Sequence, residues 1–148
     1  MPNLPGHSLI RFASAIVLAL TLAFAGGALA QSPAPPNKVV LQVSDNDPGK
    51  WNLALNNAKN IQADLGAQNV AVEIVAYGPG INMLKMDSAV GGRIDEALAA
   101  GVRVVACEIT MHSAKLSKTD MLNRIGYVPS GVVELMHKQQ QGFAYLRP

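Results

Sequence analysis

Short β-branched runs alternate along this chain with stretches whose apolar residues recur every three or four positions. KVVLQV (38–43), VAVEIVAY (70–77) and VRVVAC (102–107) are nearly continuous in apolar character, as strands buried on both faces of a parallel sheet are. GYVP (126–129) and FAYLRP (143–148) read as two shorter strands. Between the first two runs, Trp51, Ala54, Leu55, Ala58, Ile61 and Leu65 make one helical stripe, with Asp47 placed to cap its start before Pro48 and Gly66 at its end. Trp51 belongs to that stripe and is expected to pack. Further helical material is predicted over 81–86 and 92–100, with Ile94, Leu98 and Ala97 facing the sheet. Thr119 and Asp120 suit the start of a short helical turn, and Ser130 caps a last helix to about 141, with Val132, Val133 and Met136 inward. Strands alternating with helices in this way predict an α/β fold: a single compact domain with a mostly parallel five-stranded sheet flanked by helices on both faces. The order of the strands is not written in the pattern.

Residues 1–30 carry a different signal. Arg11 supplies a positive start, 13–25 is apolar but for Ser14 and Thr21, and Ala28-Leu29-Ala30 is a small-residue cleavage site. The expectation is a signal peptide cleaved after Ala30 and a periplasmic protein. An uncleaved anchor is the alternative, disfavoured because the apolar run is short of the roughly 20 residues a spanning helix needs. QSPAPPN (31–37) reads as a Pro-rich linker, and the domain proper as 38–148. The whole chain has a formal net charge of +2, and loss of Arg11 brings the remainder nearer neutrality. That balance gives no electrostatic footprint for nucleic acid or for a membrane surface, so neither is expected as a partner of the mature form.

The chain has one cysteine, Cys107, at the carboxyl end of the third strand. Ligands of open α/β sheets bind in the crevice beyond those strand ends, so a thiol there is a candidate for chemistry. A lone cysteine among valines also reads as a small buried hydrophobe, and both readings stand at this stage. With one cysteine the domain holds no internal disulfide, and a dithiol oxidoreductase would need a resolving cysteine that is absent. Thiolate formation would draw on the helix start after Cys107, or on His112 and Lys115. Gly78-Pro79-Gly80 marks a tight turn where backbone can approach a ligand, and Asn46 would face the same crevice if its strand neighbours that of Cys107. Asp45 and Asp47 suit turning and capping better than acid–base work. The motifs of hydrolases, zinc proteases, phosphate loops and dinucleotide sites are missing.

WNLALNNAKN, VAYGPGINML, GVRVVACEITM and VPSGVVELMHKQQQGFAYLRP, in this order and spacing, resemble the DsrE/DsrF-like family of sulfur-relay proteins related to the TusBCD groups. The resemblance covers nearly all of 38–148. It implies a compact α/β sandwich assembling into homo-oligomers, trimers or hexamers, and a cysteine at 107 that carries sulfane sulfur as a persulfide and passes it to a partner thiol. Thr110 and Met111 match the residues that follow the cysteine in the family. The expectation is therefore a periplasmic sulfur carrier or sulfurtransferase with an accessible, reactive Cys107 and no cofactor. Asn46, Gly78, Gly80, Thr110 and His112 are the candidates to line its substrate site, and the sulfur donor and acceptor are not specified. A binding or assembly protein of the same fold, its cysteine only packing, is the alternative. A third reading, soft-metal binding of Cu(I), would draw on Met83, Met86, Met111 and Met136 with His112, His137 and Cys107, although no spacing among them specifies a metal site.

Overall fold

The computed structural model describes residues 35–148. The expected signal segment and most of the linker lie outside the described residues. Five strands form one parallel sheet: β1 (Asn37–Val43), β2 (Val70–Ala76), β3 (Arg103–Cys107), β4 (Gly126–Val128) and β5 (Ala144–Leu146). Their order across the sheet is β4-β3-β2-β1-β5. The helices are α1 (Pro48–Leu65), α2 (Gly91–Ala99), α3 (Glu108–Ser113) and α4 (Gly131–Gln140).

This order fixes which face each helix covers. From β1 to β4 the chain steps one way across the sheet, so right-handed crossovers put their connections on one face. The return from β4 to β5 runs the other way and passes over the opposite face. The two cores agree with this. Val39, Leu41, Val43, Ile74 and Val104 pack with Trp51, Leu55, Ile94 and Met111, whereas Val40, Val75, Val105 and Val128 pack with Leu135 of α4. Alternate residues of each strand thus enter different cores, and burial on both faces explains why β1 to β3 are nearly continuous apolar runs.

Local signals at α1 act as expected. Asp47 accepts hydrogen bonds from the N–H groups of Gly49 (2.7 Å) and Lys50 (3.4 Å), Pro48 opens the helix, and Trp51 is buried with its Nε1 donating to the Asp45 carbonyl at 2.8 Å. Other elements differ. The strand β1 begins at Asn37, one residue earlier than the domain boundary read from the sequence. The segment expected as helix over 81–86 is a 3-10 helix, Gly78–Leu84, that starts at the glycine turn itself. Ser130 occupies the N-cap position of α4 but makes no capping hydrogen bond with its side chain, and the short turn Lys118–Asp120 is capped by Ser117 rather than by Thr119.

The main correction concerns α4. Val132, Val133 and Met136, expected inward, are 57 %, 42 % and 49 % exposed. Gly131 and Leu135 are buried instead, and the Lys138 side chain on the same face is 11 % exposed. The reason lies on the sheet. Glu73 of β2 points into this face with a side chain only 2 % exposed, and Lys138 lies 2.8 Å from it. A buried carboxylate needs a partner more than a half-exposed valine needs cover.

Candidate functional site

Cys107 ends β3, and the next strand in the sheet is β4. Beyond these two strand ends the chain departs to opposite faces. The helix α3 carries Met111 into the larger core, whereas α4 carries Leu135 into the smaller one. Adjacent parallel strands whose connections part in this way leave a crevice between them, which is where open α/β sheets take ligands. Cys107 occupies that point, at the N-cap of α3 and beside the first residue of α4.

Its surroundings are hydrogen-bond donors. The Thr110 N–H donates to Sγ at 3.5 Å, and the Thr110 hydroxyl and the nearby N–H groups of Gly131 and Ile109 also stabilise the charged sulfur. Burial pushes the thiol up, but these donors outweigh it and hold Cys107 below the ordinary thiol value. That lowering comes from hydrogen-bond donors and not from a neighbouring cation. Glu108, adjacent in sequence, turns away to Lys118 at 3.7 Å.

Two glycines make the arrangement possible. Gly131 packs on Tyr77 so closely that a Cβ there would stand 2.8 Å from the Tyr77 Cβ, and this contact brings the α4 start down to the sulfur. At Gly80 a Cβ would overlap the Val43 carbonyl, with Ser44 Cα at 2.9 Å, so only glycine lets the turn lie across the end of β1. From that turn Gly78 N–H donates to Thr110 Oγ1 at 3.0 Å, which orients the hydroxyl beside Cys107.

Of the residues expected around the thiol, the structure brings Thr110 to it and Gly78 to Thr110. Gly80 is buried and supports the turn from behind. Asn46 is exposed and does not join them, because β2 stands between β1 and β3. His112 is exposed on α3 and makes no side-chain hydrogen bond to Cys107 among the described residues. The accessibility expected of Cys107 is not found: its side chain is 4 % exposed. Both helix starts close over it, and Ile109 N–H bonds the Pro129 carbonyl at 3.2 Å across the gap between them. Reading the sequence missed Gly131 and Tyr77. A glycine directly after a strand, opening a helix, was the available signal in VPSG.

The methionines do not form a soft-metal cluster. Met83 and Met111 are buried in the larger core, while Met86 and Met136 are exposed. Among the described residues no group of three or more His, Cys, Asp or Glu side chains is placed to hold a metal ion, and no helix is long and apolar enough to cross a membrane. A cavity of about 160 Å³ between α1 and α2 rests on Leu55, Ala58, Ala97 and Val102, at the opposite end of β3 from the thiol.

Comparison with known proteins agrees with this architecture. A protein of unknown function from Methanobacterium thermoautotrophicum is 35 % identical, with a TM-score of 0.72 over 76 % of this chain and 99 % of its own. A conserved protein of unknown function from Bacteroides thetaiotaomicron shares the fold at 15 % identity, with a TM-score of 0.59 over 80 % of this chain and 100 % of its own. No curated protein matches the chain. The model of the DsrE/DsrF-like family matches residues 37–148. With that match spanning the whole sheet and every helix described above, the chain belongs to the DsrE/DsrF-like family.

Proposed function

We propose that this protein is an exported sulfur carrier that holds sulfane sulfur as a persulfide on Cys107 and acts in the periplasm after removal of residues 1–30. The observation that carries the reading is a thiol at the parting of the sheet's connections, at the N-cap of α3 with the Thr110 N–H donating to its sulfur at 3.5 Å. Donors that favour the Cys107 thiolate favour both the attacking group of the loading step and the leaving group of the return step, since each is Sγ.

The chemistry balances without a cofactor. The Cys107 thiolate attacks the outer sulfur of a donor persulfide R–S–SH, the donor S–S bond breaks, and R–S⁻ leaves. Cys107 then carries –S–SH, and an acceptor thiolate takes the outer sulfur by the same exchange, returning the Cys107 thiolate. Because the side chain is 4 % exposed, a donor reaches Sγ only if it is small or if the starts of α3 and α4 part. The exposed apolar residues Ile109, Val132, Val133 and Met136 on those two helices support assembly into a homo-oligomer, a trimer or hexamer.

The burial of Cys107 favours a second reading, a binding or assembly protein whose cysteine only packs. Mass spectrometry after exposure to a persulfide donor, with Cys107→Ser as control, separates the two. A reducible gain of one sulfur, absent in the control, supports the carrier. No uptake, together with resistance to alkylation until unfolding, leaves the binding or assembly role.

A further inference from the structure

The helices α1 and α2 pack on the same face of the sheet and are latched to each other at both ends. Near their starts the Arg93 guanidinium donates to the Asn52 carbonyl at 3.5 Å, to Asn52 Oδ1, and to Asn56 Oδ1 at 2.7 Å. Near their ends Gln62 Nε2 donates to the Ala100 carbonyl at 2.9 Å. Between the latches Ala58 and Ala97 are too small to close the gap, and the cavity of about 160 Å³ is what remains. Leu55 and Val102 complete its apolar floor, while the half-buried Arg93 and the exposed Lys59 and Glu96 stand at its rim.

Arg93 is held in place without being neutralised. Its hydrogen bonds end on amide oxygens, and among the described residues neither Arg93 nor Lys59 forms an ion pair. A guanidinium carries five N–H donors in a rigid fork, so two remain, on Nε and Nη2, along an edge that matches a carboxylate. The rim sets Arg93 and Lys59 against Glu96, which leaves a positive charge to be answered. The floor favours a different chemistry, since an apolar cavity of about 150 Å³ takes up a molecule the size of benzene. We propose that this cavity binds a small organic monocarboxylate with a benzene-sized apolar body, its carboxylate on Arg93 and its body against Leu55, Ala58, Ala97 and Val102. Inorganic phosphate and sulfate fit less well, because neither has an apolar body and a second negative charge would meet Glu96. The cavity lies at the opposite end of β3 from Cys107, so the site is independent of the sulfur chemistry proposed above.

The test is a titration with benzoate followed by backbone amide chemical shifts, with benzamide and acetate as comparison ligands. Benzamide keeps the apolar body without the charge, and acetate keeps the charge without the body. Benzoate is expected to saturate with a Kd of about 1 mM or below, moving amides of α1 and α2 around the cavity. Benzamide and acetate should each bind at least about ten-fold more weakly. Arg93→Gln is expected to fold, since the Gln62 latch and the apolar floor still join the helices, and to bind benzoate at least about ten-fold more weakly, with no preference for it over benzamide. Three results would each overturn the proposal: no saturation by about 20 mM benzoate, equal binding of benzamide, or an unchanged benzoate affinity in Arg93→Gln. Cys107→Ser should bind benzoate as the wild type does, so failure of the carrier reading leaves this result to be read on its own.

Discussion

Gly131 stands against Tyr77 with no room for a side chain: an added Cβ would come within 3.2 Å of the ring as well as 2.8 Å of the Tyr77 Cβ. The contact joins the start of α4 to the end of β2 and keeps the Gly131 N–H near enough to Cys107 to help lower its thiol. Gly131→Ala is expected to lift the helix start, at a cost of about 1–3 kcal/mol in stability. It should also raise the thiol titration point. Urea denaturation and alkylation across pH measure the two effects, and a normal thiol profile would mean that the Gly131 N–H does little for the sulfur.

Thr110 acts twice, since its hydroxyl favours the Cys107 thiolate while its Oγ1 accepts the Gly78 N–H. Thr110→Val keeps the shape and removes both. The loss of one hydrogen bond and an unpaired Gly78 donor is expected to cost about 1–2 kcal/mol, with the thiol titrating higher than in the wild type. Unchanged alkylation kinetics at neutral pH would remove Thr110 from the site.

At Gly80 the neighbours of an added Cβ are backbone atoms of Val43 and Ser44, which cannot swing aside. Gly80→Ala is therefore expected to cost at least about 2 kcal/mol. Gly92→Ala, where nothing lies within 4 Å, serves as the comparison and should be neutral or slightly stabilising. Equal urea midpoints for the two variants would contradict the packing described at the glycine turn.

Burial raises the Glu73 carboxyl above its ordinary value, more than Lys138 and Arg103 lower it, and the neighbouring Glu134 adds to the rise. A carboxyl raised on folding contributes stability below its unfolded value, about 4.3, and loses it as pH rises through the folded value. Relative to Glu73→Gln, the wild type should accordingly weaken as pH rises above the unfolded carboxyl value of about 4.3. Asp120 behaves in the opposite sense: hydrogen bonds from Ser117 lower its carboxyl, so its contribution is lost only as pH falls through that depressed value. A difference between wild type and Glu73→Gln that does not vary with pH would show that Glu73 titrates as it does in the unfolded chain.

The thiol could be found in the sequence because its cue is local, one cysteine closing a β-branched run, and the threonine that serves it lies three residues on. Its other partners come from elsewhere in the chain. Gly78 enters through the turn after β2, and Gly131 through a helix on the other side of the sheet. Asn46 was a reasonable candidate only if β1 and β3 were neighbours, and the strand order decides against it. Burial of Cys107 was one of the two readings its valine neighbours allowed, and only the two helix starts meeting over the sulfur decide between them.

The sequence by itself determined the strands, the long helix with its Asp47 cap and the parallel α/β class, since β-branched runs buried on both faces and a capped apolar stripe are specified by adjacent residues. Tertiary structure alone decided the strand order, the rotation of α4 and the burial of Cys107 between two helix starts. In α4 the local preference to bury Val132, Val133 and Met136 is overruled by a carboxylate on a distant strand. An unpaired buried charge costs more than a few half-exposed apolar side chains, and which cation answers it is settled only when strand and helix meet.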